Sequence, residues 1–321
     1  MIERTRAGIP DRISLESISV VIPIRNEEQT IRPLYEQLTT VLQSLTGDYE
    51  ILFLDDGSTD SSAAIMESLW QQDSHVKALQ LRRNFGKAAA LAVGFAEARG
   101  DIVLTLDGDL QDDPQEIPRL VDALREGYDV VSGWKRVRHD PLSKTAPSRL
   151  FNWVVSRTTG IHLHDFNCGF KAYRREVVKN VRLYGEMHRF IPVLAHSRGY
   201  KVTELPVTHH PRKHGKSKYG IERLLRGFFD LLTILFLTRY LYKPLHFFGA
   251  LGLLTFLVGF GIDAYLAALW FAGVGIGTRP LLSLGTLLLV IGMQLICTGL
   301  IAELMIYLKR DQDNIIGKRL E

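Results

Sequence analysis

Two long apolar runs near the C-terminal end limit this chain more than any other feature. Phe247–Phe271 carries one charged residue, Asp263, in 25 positions, and Leu281–Leu308 carries one, Glu303, in 28. At about 1.5 Å of rise per residue, either run as a helix can cross a hydrocarbon core of about 30 Å with some tilt. The turn between them, Ala272–Pro280, is short and Gly-rich, which predicts a hairpin. Lys and Arg crowd the outer flanks (Arg239, Lys243, Lys309, Arg310, Lys318, Arg319), and the turn has only Arg279. The positive-inside rule then predicts a multi-pass protein of the inner or plasma membrane with its N-terminal part and its C-terminal tail in the cytoplasm.

The composition of the whole chain hides this division. Over 321 residues the charged fraction is 23% and the hydrophobic fraction 46%, ordinary globular values. Roughly the first 225 residues mix charge with apolar residues, so a polar domain precedes the membrane part. The net charge of +4 is too small to argue for nucleic acid as a partner. Positive charge is concentrated instead between Arg212 and Arg226, where six Lys/Arg face one acid, Glu222, just ahead of the apolar region. Membrane lipids or an anionic substrate suit such a cluster, and a solvated basic loop is the plain alternative. Ile221–Tyr242 mixes apolar residues with Arg223, Arg226, Asp230 and Arg239, the pattern of an amphipathic helix lying in the interface or of an early start to the first span. The expected organisation is a polar tail over 1–16, a folded polar domain over 17–220, an interfacial segment over 221–243, a membrane hairpin over 244–310 and a tail over 311–321. Cys168 and Cys297 fall in different parts, so no structural disulfide is expected, and the polar start lacks the apolar core of a signal peptide.

Within the polar domain, β-rich runs alternate with helical patterns, which predicts an α/β sheet built by crossovers. The strands expected are Ile18–Ile22, Glu50–Leu54, Val76–Leu81, Ile102–Leu106 and Val130–Ser132. The helices expected are Glu27–Leu45, Asp60–Gln72, Lys87–Ala98 and Pro114–Glu126, with Asp60 and Asp113 as N-caps. Ile51–Leu54 and Ile102–Leu106 are apolar without alternation, as strands covered on both faces are. In such sheets ligands bind beyond the carboxyl ends of the strands. Four polar loops stand there. Asp107-Gly108-Asp109 can share a hard divalent cation between two carboxylates, Mg²⁺ or Mn²⁺, whose remaining positions go to phosphate oxygens and water. Asp55-Asp56-Gly57-Ser58 offers carboxylates to a nucleobase or ribose. Pro23–Glu28 and Arg82–Lys87 close two more strands, and the latter leads into a helix whose N-terminal amides, with Lys87, suit phosphate.

Together, VIPIRNEE (21–28), LDDGSTD (54–60), RNFGKAAAL (83–91), LDGDLQDDP (106–114), DFNCGFKAY (165–173) and RKHGKSKYG (212–220) resemble the family 2 glycosyltransferases of GT-A (Rossmann-like) fold. Within that family the chain resembles the polyprenyl-phosphate branch, which includes dolichyl-phosphate mannose synthases and bacterial prenyl-phosphate glucosyltransferases. The resemblance runs from about residue 17 to 230, and the hairpin matches bacterial members. It implies inverting, metal-dependent transfer of one sugar from a nucleotide-sugar, UDP-glucose first and GDP-mannose next, to a polyprenyl phosphate. It places Pro23, Arg25, Glu27, Asp55, Asp56, Lys87, Asp107 and Gly108 around the nucleotide-sugar, and Asp107, Asp109 and Gln111 around the metal. Arg136, Arg138, Arg149, Arg212, Ser217 and Lys218 fall to the acceptor phosphate, and Asp109, Asp165, Arg212 and Lys218 to catalysis. A homo-oligomer is also implied. Asp165 could position the acceptor, act as a base, or cap a turn.

A processive polysaccharide synthase carries a Q-x-x-R-W motif and more spans; this chain has neither. A non-catalytic scaffold would not need Asp107, Asp109 and Lys218, and two spans are few for a transporter's alternating-access path unless many chains assemble. His164, His209, His210 and His214 match no zinc spacing and read as loop or interface residues. Asp263 and Glu303, acids inside apolar runs, invite a functional reading, with a packing role beside it: both sit toward helix ends or could pair with each other or with polar groups between the helices.

Overall fold

The computed structural model describes residues 16–135, 161–181, 183, 187–211, 243–276 and 280–309, with single positions at 152, 155–157, 159, 160, 233, 236 and 240. The expectations for Arg136, Arg138, Arg149, Arg212, Ser217, Lys218, His214, both tails apart from Glu16 and nearly all of the interfacial segment lie outside the described residues. Packing divides the chain into two compact units, Met1–Ile234 and Leu235–Glu321.

In the first unit β1 (Ile18–Ile24), α1 (Ile31–Leu45), β2 (Tyr49–Asp55), α2 (Ser62–Gln72), β3 (Val76–Gln80), α3 (Lys87–Glu97), β4 (Ile102–Thr105), α4 (Ile117–Arg125) and β5 (Val130–Trp134) follow in turn. Every strand and helix expected from sequence is there within a few residues. Every residue of β4 is buried, and all of β1 but Pro23 and all of β2 but Glu50, as apolar runs covered on both faces require. The α4 start follows the sequence signal: Pro114 opens a single 3-10 turn and the Asp113 side chain accepts the Gln115 amide at 3.0 Å. Asp60 acts one position earlier than a formal N-cap, since Ser61 holds that place. Its carboxylate still accepts the Ser62 amide at 3.0 Å.

The sequence reading did not anticipate β6 (Lys171–Arg174), β7 (Val202–Pro206) or the short helices α5 (Arg175–Asn180) and α6 (Ile191–Ser197). The order across the sheet is β3-β2-β1-β4-β6-β5-β7. β1 pairs in parallel with β2 and β4, and β2 with β3; β6 runs antiparallel to both β4 and β5, and β7 returns parallel to β5. Four residues with a cation at each end give β6 no periodicity to read, and β7 is a half-buried strand ending in Pro206, as an edge tolerates.

The second unit is an antiparallel pair, α7 (Pro244–Phe271) and α8 (Pro280–Lys309), both long and apolar enough to cross a membrane. Their seam repeats every seven residues, with Gly252, Gly259 and Leu266 on α7 and Gly285, Gly292 and Gly299 on α8. A Cβ at Gly252 would stand 2.7 Å from the Gly292 carbonyl, and one at Gly259 2.7 Å from that of Gly285. Small residues let the two backbones meet, which drives association where lipid removes the hydrophobic incentive. The two intramembrane acids do not pair with each other. Glu303 accepts the Leu245 amide at 3.3 Å, one of the orphan donors of the first turn, while Asp263 receives the Thr286 hydroxyl at 3.4 Å. Leu245 and Asp263 are about 27 Å apart along α7 at about 1.5 Å per residue, so each acid serves its own end of the hairpin.

Candidate active site

Because β1, β2 and β4 are parallel, their carboxyl ends share one edge of the sheet, and the loops that follow are bonded to one another. The Asn26 amide donates to Ser58 Oγ at 2.9 Å and Asn26 Oδ1 accepts the Thr59 amide at 2.8 Å. Glu27 and Ser62 join at 3.0 Å, and Glu28 accepts the Ser61 amide at 3.0 Å. Asn26 itself stands at φ 52°, a left-handed conformation held by these contacts. The Thr30 hydroxyl reaches across to the Gly108 carbonyl at 2.5 Å, tying the first loop to the acid loop. The first two loops and the acid loop are therefore one assembly.

The loop after β2 is equally tied down. Asp55 is wholly buried; its carboxylate accepts the Ser58 amide at 2.8 Å and the Gln80 side chain at 3.1 Å. Asp56 accepts the Phe85 amide at 2.7 Å and that of Gly86 at 3.0 Å, so it shapes the entry to α3. Gly57, at φ 69°, is pressed so closely on this segment that a Cβ would lie 2.7 Å from the Asn84 amide nitrogen. Both carboxylates therefore hold the loops at this edge of the sheet in place. Pro23 is partly buried in β1, Arg25 is exposed and Glu27 is half-buried at the same edge.

Lys87, first residue of α3, forms an ion pair with Asp107. Burial by itself would raise the Asp107 carboxyl, but Lys87 and Lys135 beside it hold it well below the usual carboxylate range. The Asp107 carboxylate lies against Gly169, where a Cβ would stand 2.7 Å from both of its oxygens. Asp109 is buried at 8% exposure and accepts the Gln111 amide at 3.2 Å. Gly108 packs under Ile24, where a Cβ would fall 2.5 Å from the side chain. Asp165, at 1% exposure, accepts the Asn167 amide at 3.0 Å and so holds the turn that delivers Gly169 to Asp107.

The donor set fits a hard divalent cation. Asp107 and Asp109 are carboxylates two residues apart, and Asp107 already draws an ammonium to its Oδ1. Among the described residues no group of three or more His, Cys, Asp or Glu is gathered for a metal. Two carboxylates completed by phosphate and water are what Mg²⁺ usually takes from a protein. Gln111 is half-buried and donates its side-chain amide to the His210 carbonyl at 3.3 Å.

Several residues around this centre were not singled out from sequence. Lys171 is buried on β6 and bonded to the Cys168 carbonyl, with burial lowering its pKa. Burial, then Lys87, push the His188 imidazole well below its ordinary value, so at neutral pH it is uncharged. The Cys168 thiol is pushed up to about 12 by burial and the Asp112 charge, which makes it unreactive. Lys171 and Cys168 stood inside a recognisable motif; His188 and Lys135 had no local signal. Of the histidines, His164 stacks on Trp134 at 4.1 Å and pairs with Glu204, His209 faces Asp112, and His210 faces Asp113.

Comparison with known proteins agrees with this geometry. Residues 19–182 match the family described as Glycosyl transferase family 2. A dodecaprenyl-phosphate galacturonate synthase of Rhizobium johnstonii is 40% identical over 309 residues, covering 93% of this chain and 90% of the relative. An undecaprenyl-phosphate 4-deoxy-4-formamido-L-arabinose transferase of Salmonella choleraesuis is 38% identical over 296 residues, covering 91% and 89%. Among solved structures, glucosyl-3-phosphoglycerate synthase from Mycobacterium tuberculosis, in complex with Mn²⁺, uridine diphosphate and phosphoglyceric acid, matches with a TM-score of 0.53 at 21% identity. It covers 70% of this chain and 78% of that one. The likeness is one of fold, and the fold is GT-A.

Proposed function

The chain belongs to glycosyltransferase family 2, and on that footing we propose that it moves a single sugar from a nucleotide-sugar onto a polyprenyl phosphate at the cytoplasmic face of a membrane. The observation that carries the reading is the Asp107/Asp109 acid pair, set among Lys87, Lys135 and Lys171 at the carboxyl edge of the sheet. The names of the two relatives support a prenyl-phosphate acceptor, and helices α7 and α8 support a membrane site for its lipid tail. The basic flanks of the hairpin favour cytoplasmic termini.

The chemical difficulty is bringing two anions together. A phosphate monoester is largely ionised at neutral pH, with a second pKa of about 6, so the acceptor oxygen is already a nucleophile. It attacks the anomeric carbon from the face opposite the diphosphate, the bond from that carbon to the diphosphate oxygen breaks, and the configuration inverts. Asp107 and Asp109, with Gln111 beside them, would hold Mg²⁺ or Mn²⁺, which when bound neutralises charge on the departing diphosphate. Lys87 and the amides at the start of α3 favour donor phosphate. Arg136, Arg138, Arg149, Arg212, Ser217 and Lys218 are assigned to the acceptor phosphate, where guanidinium and ammonium groups offset the repulsion. Asp165 is assigned to the acceptor side, by positioning or proton transfer. Asp55, Asp56, Pro23, Arg25 and Glu27 are assigned to the nucleotide. UDP-glucose is the first donor to try and GDP-mannose the second, and the relatives' names add galacturonate and formamido-L-arabinose donors. Assembly as a homo-oligomer is part of the proposal.

The test is to incubate full-length protein in membranes with polyprenyl phosphate and a panel of nucleotide-sugars, with and without Mg²⁺ or Mn²⁺, and to weigh the lipid product. One donor should yield a prenyl-phosphate sugar, and Asp107→Asn and Asp109→Asn should not. Turnover untouched in both variants would sink the acid-pair mechanism, and no product from any donor would sink the proposal and favour a scaffold.

A further inference from the structure

The acid loop is also held from below, by a buried set of charges centred on Asp112. Asp112 is 2% exposed, and its carboxylate meets two cationic or potentially cationic groups: Lys135 Nζ at 3.2 Å and His209 Nδ1 at 3.4 Å, both mostly buried. These come from three places in the chain. Asp112 ends the acid loop, Lys135 follows β5, and His209 lies just past β7. The backbone repeats the connection. Asp112 and His209 form an isolated antiparallel bridge, the His210 amide donates to the Gln111 carbonyl at 2.8 Å, and the Val207 amide donates to the Trp134 carbonyl at 3.0 Å. One residue before Gln111, Leu110 stands at φ 60°, a conformation a branched side chain adopts only when its surroundings impose it.

We propose that Asp112, Lys135 and His209 are positioning residues, forming a buried charged peg that holds the 107–111 loop in its cation-binding shape. The proposal rests on the metal reading above. The same contact orients Gln111: with its side-chain nitrogen committed to the His210 carbonyl, the amide oxygen is the atom left for a cation. Residues that orient a metal's ligands change its affinity by roughly tenfold or more when removed.

Charge and position make opposite predictions for Lys135. A lysine acting only through its charge repels a cation, so Lys135→Met would tighten Mn²⁺ binding; a lysine that shapes the loop makes the same variant bind more weakly. The experiment uses the full-length protein in detergent, with Mn²⁺ alone as probe, followed by the loss of the free Mn²⁺ electron paramagnetic resonance signal. His209→Ala and Lys135→Met should each weaken Mn²⁺ binding about tenfold, with Lys135→Arg restored to near wild type. Thr208→Val is the control: it removes the neighbouring hydroxyl bond to Glu116, 2.7 Å long, and should leave Mn²⁺ binding unchanged. If Lys135→Met does not fold, as thermal unfolding will report, the milder His209→Gln carries the same test. Unchanged binding in folded His209→Ala and His209→Gln, or tighter binding in Lys135→Met, overturns the peg. A wild-type protein that takes up no Mn²⁺ overturns the metal reading and the peg with it.

Discussion

Replacing Gly169 by alanine asks whether the Asp107 carboxylate must stand where it does. The glycine is not in a left-handed conformation, so alanine can adopt its backbone angles, and the whole effect comes from contact. The added methyl would stand 2.7 Å from both Asp107 oxygens, about 0.7 Å inside ordinary van der Waals contact at 3.4 Å. The Gly169 carbonyl accepts the Thr105 hydroxyl at 2.8 Å, so the backbone is held and the carboxylate has to yield. Overpacking of this kind costs about 1–3 kcal/mol as neighbouring groups shift to relieve it. Since a carboxylate can turn, about 1 kcal/mol is expected, a fall of about 2–4 °C in Tm. Activity should suffer far more. Displacing a reacting-site group by about 1 Å can cost about 100-fold in kcat, or about 2.7 kcal/mol. The assay is initial-rate transfer to polyprenyl phosphate with thermal unfolding on the same preparation. Gly47→Ala serves as control, because a Cβ there meets nothing within 4 Å. A Gly169→Ala enzyme turning over within about twofold of wild type would show that the Asp107 position does not matter, and the reasoning from the acid pair would fall.

Three further outcomes are expected. Arg212→Ala and Lys218→Ala should lower kcat/KM at least as much as Asp165→Asn, because charge neutralisation is the harder task; a dead Asp165→Asn beside near-normal clamp variants would reverse that order. In the hairpin, Gly259→Leu drives a side chain into the Gly285 backbone and should separate α7 from α8, read as faster proteolysis and a lower Tm in detergent, whereas Gly261→Leu, with nothing within 4 Å of its Cβ position, should not. Glu50 accepts the Ser19 hydroxyl at 2.6 Å and the Arg99 amide at 2.8 Å and pairs with Lys77; burial opposes its ionisation, yet these partners lower its pKa. Its stabilising contribution is therefore complete above its ordinary value of 4.5 and is lost as pH falls through its lowered value, so the Tm difference between wild type and Glu50→Gln should be constant above about pH 5 and shrink below it.

Residues acting through local pattern were legible in the sequence. The apolar runs of β1, β2 and β4, the caps around Asp60 and Asp113, and the two spans announce themselves because burial on both faces, helix starts and bilayer thickness each impose a pattern on consecutive residues. The acid pair and the loops at 23–28, 55–60 and 82–87 could be named because a polar loop at a strand end is a local feature. What the chain could not reveal by itself is what depends on residues far apart meeting. β6 has too few residues for a period, and its place between β4 and β5 follows only once both neighbours exist. Asp55 and Asp56 look like ligand groups in isolation, but only the fold shows their oxygens already bonded to Ser58, Gln80, Phe85 and Gly86. Glu303 and Asp263 could have paired, and the antiparallel register sends each to a different partner. Lys135 and His209 carry no motif; they matter because Asp112, from a third segment, is buried between them. Sequence alone determined the kinds of element and the chemistry at their ends. Tertiary structure decided which charges face each other, since electrostatic pairing depends on distance through space and a linear order of residues does not contain it.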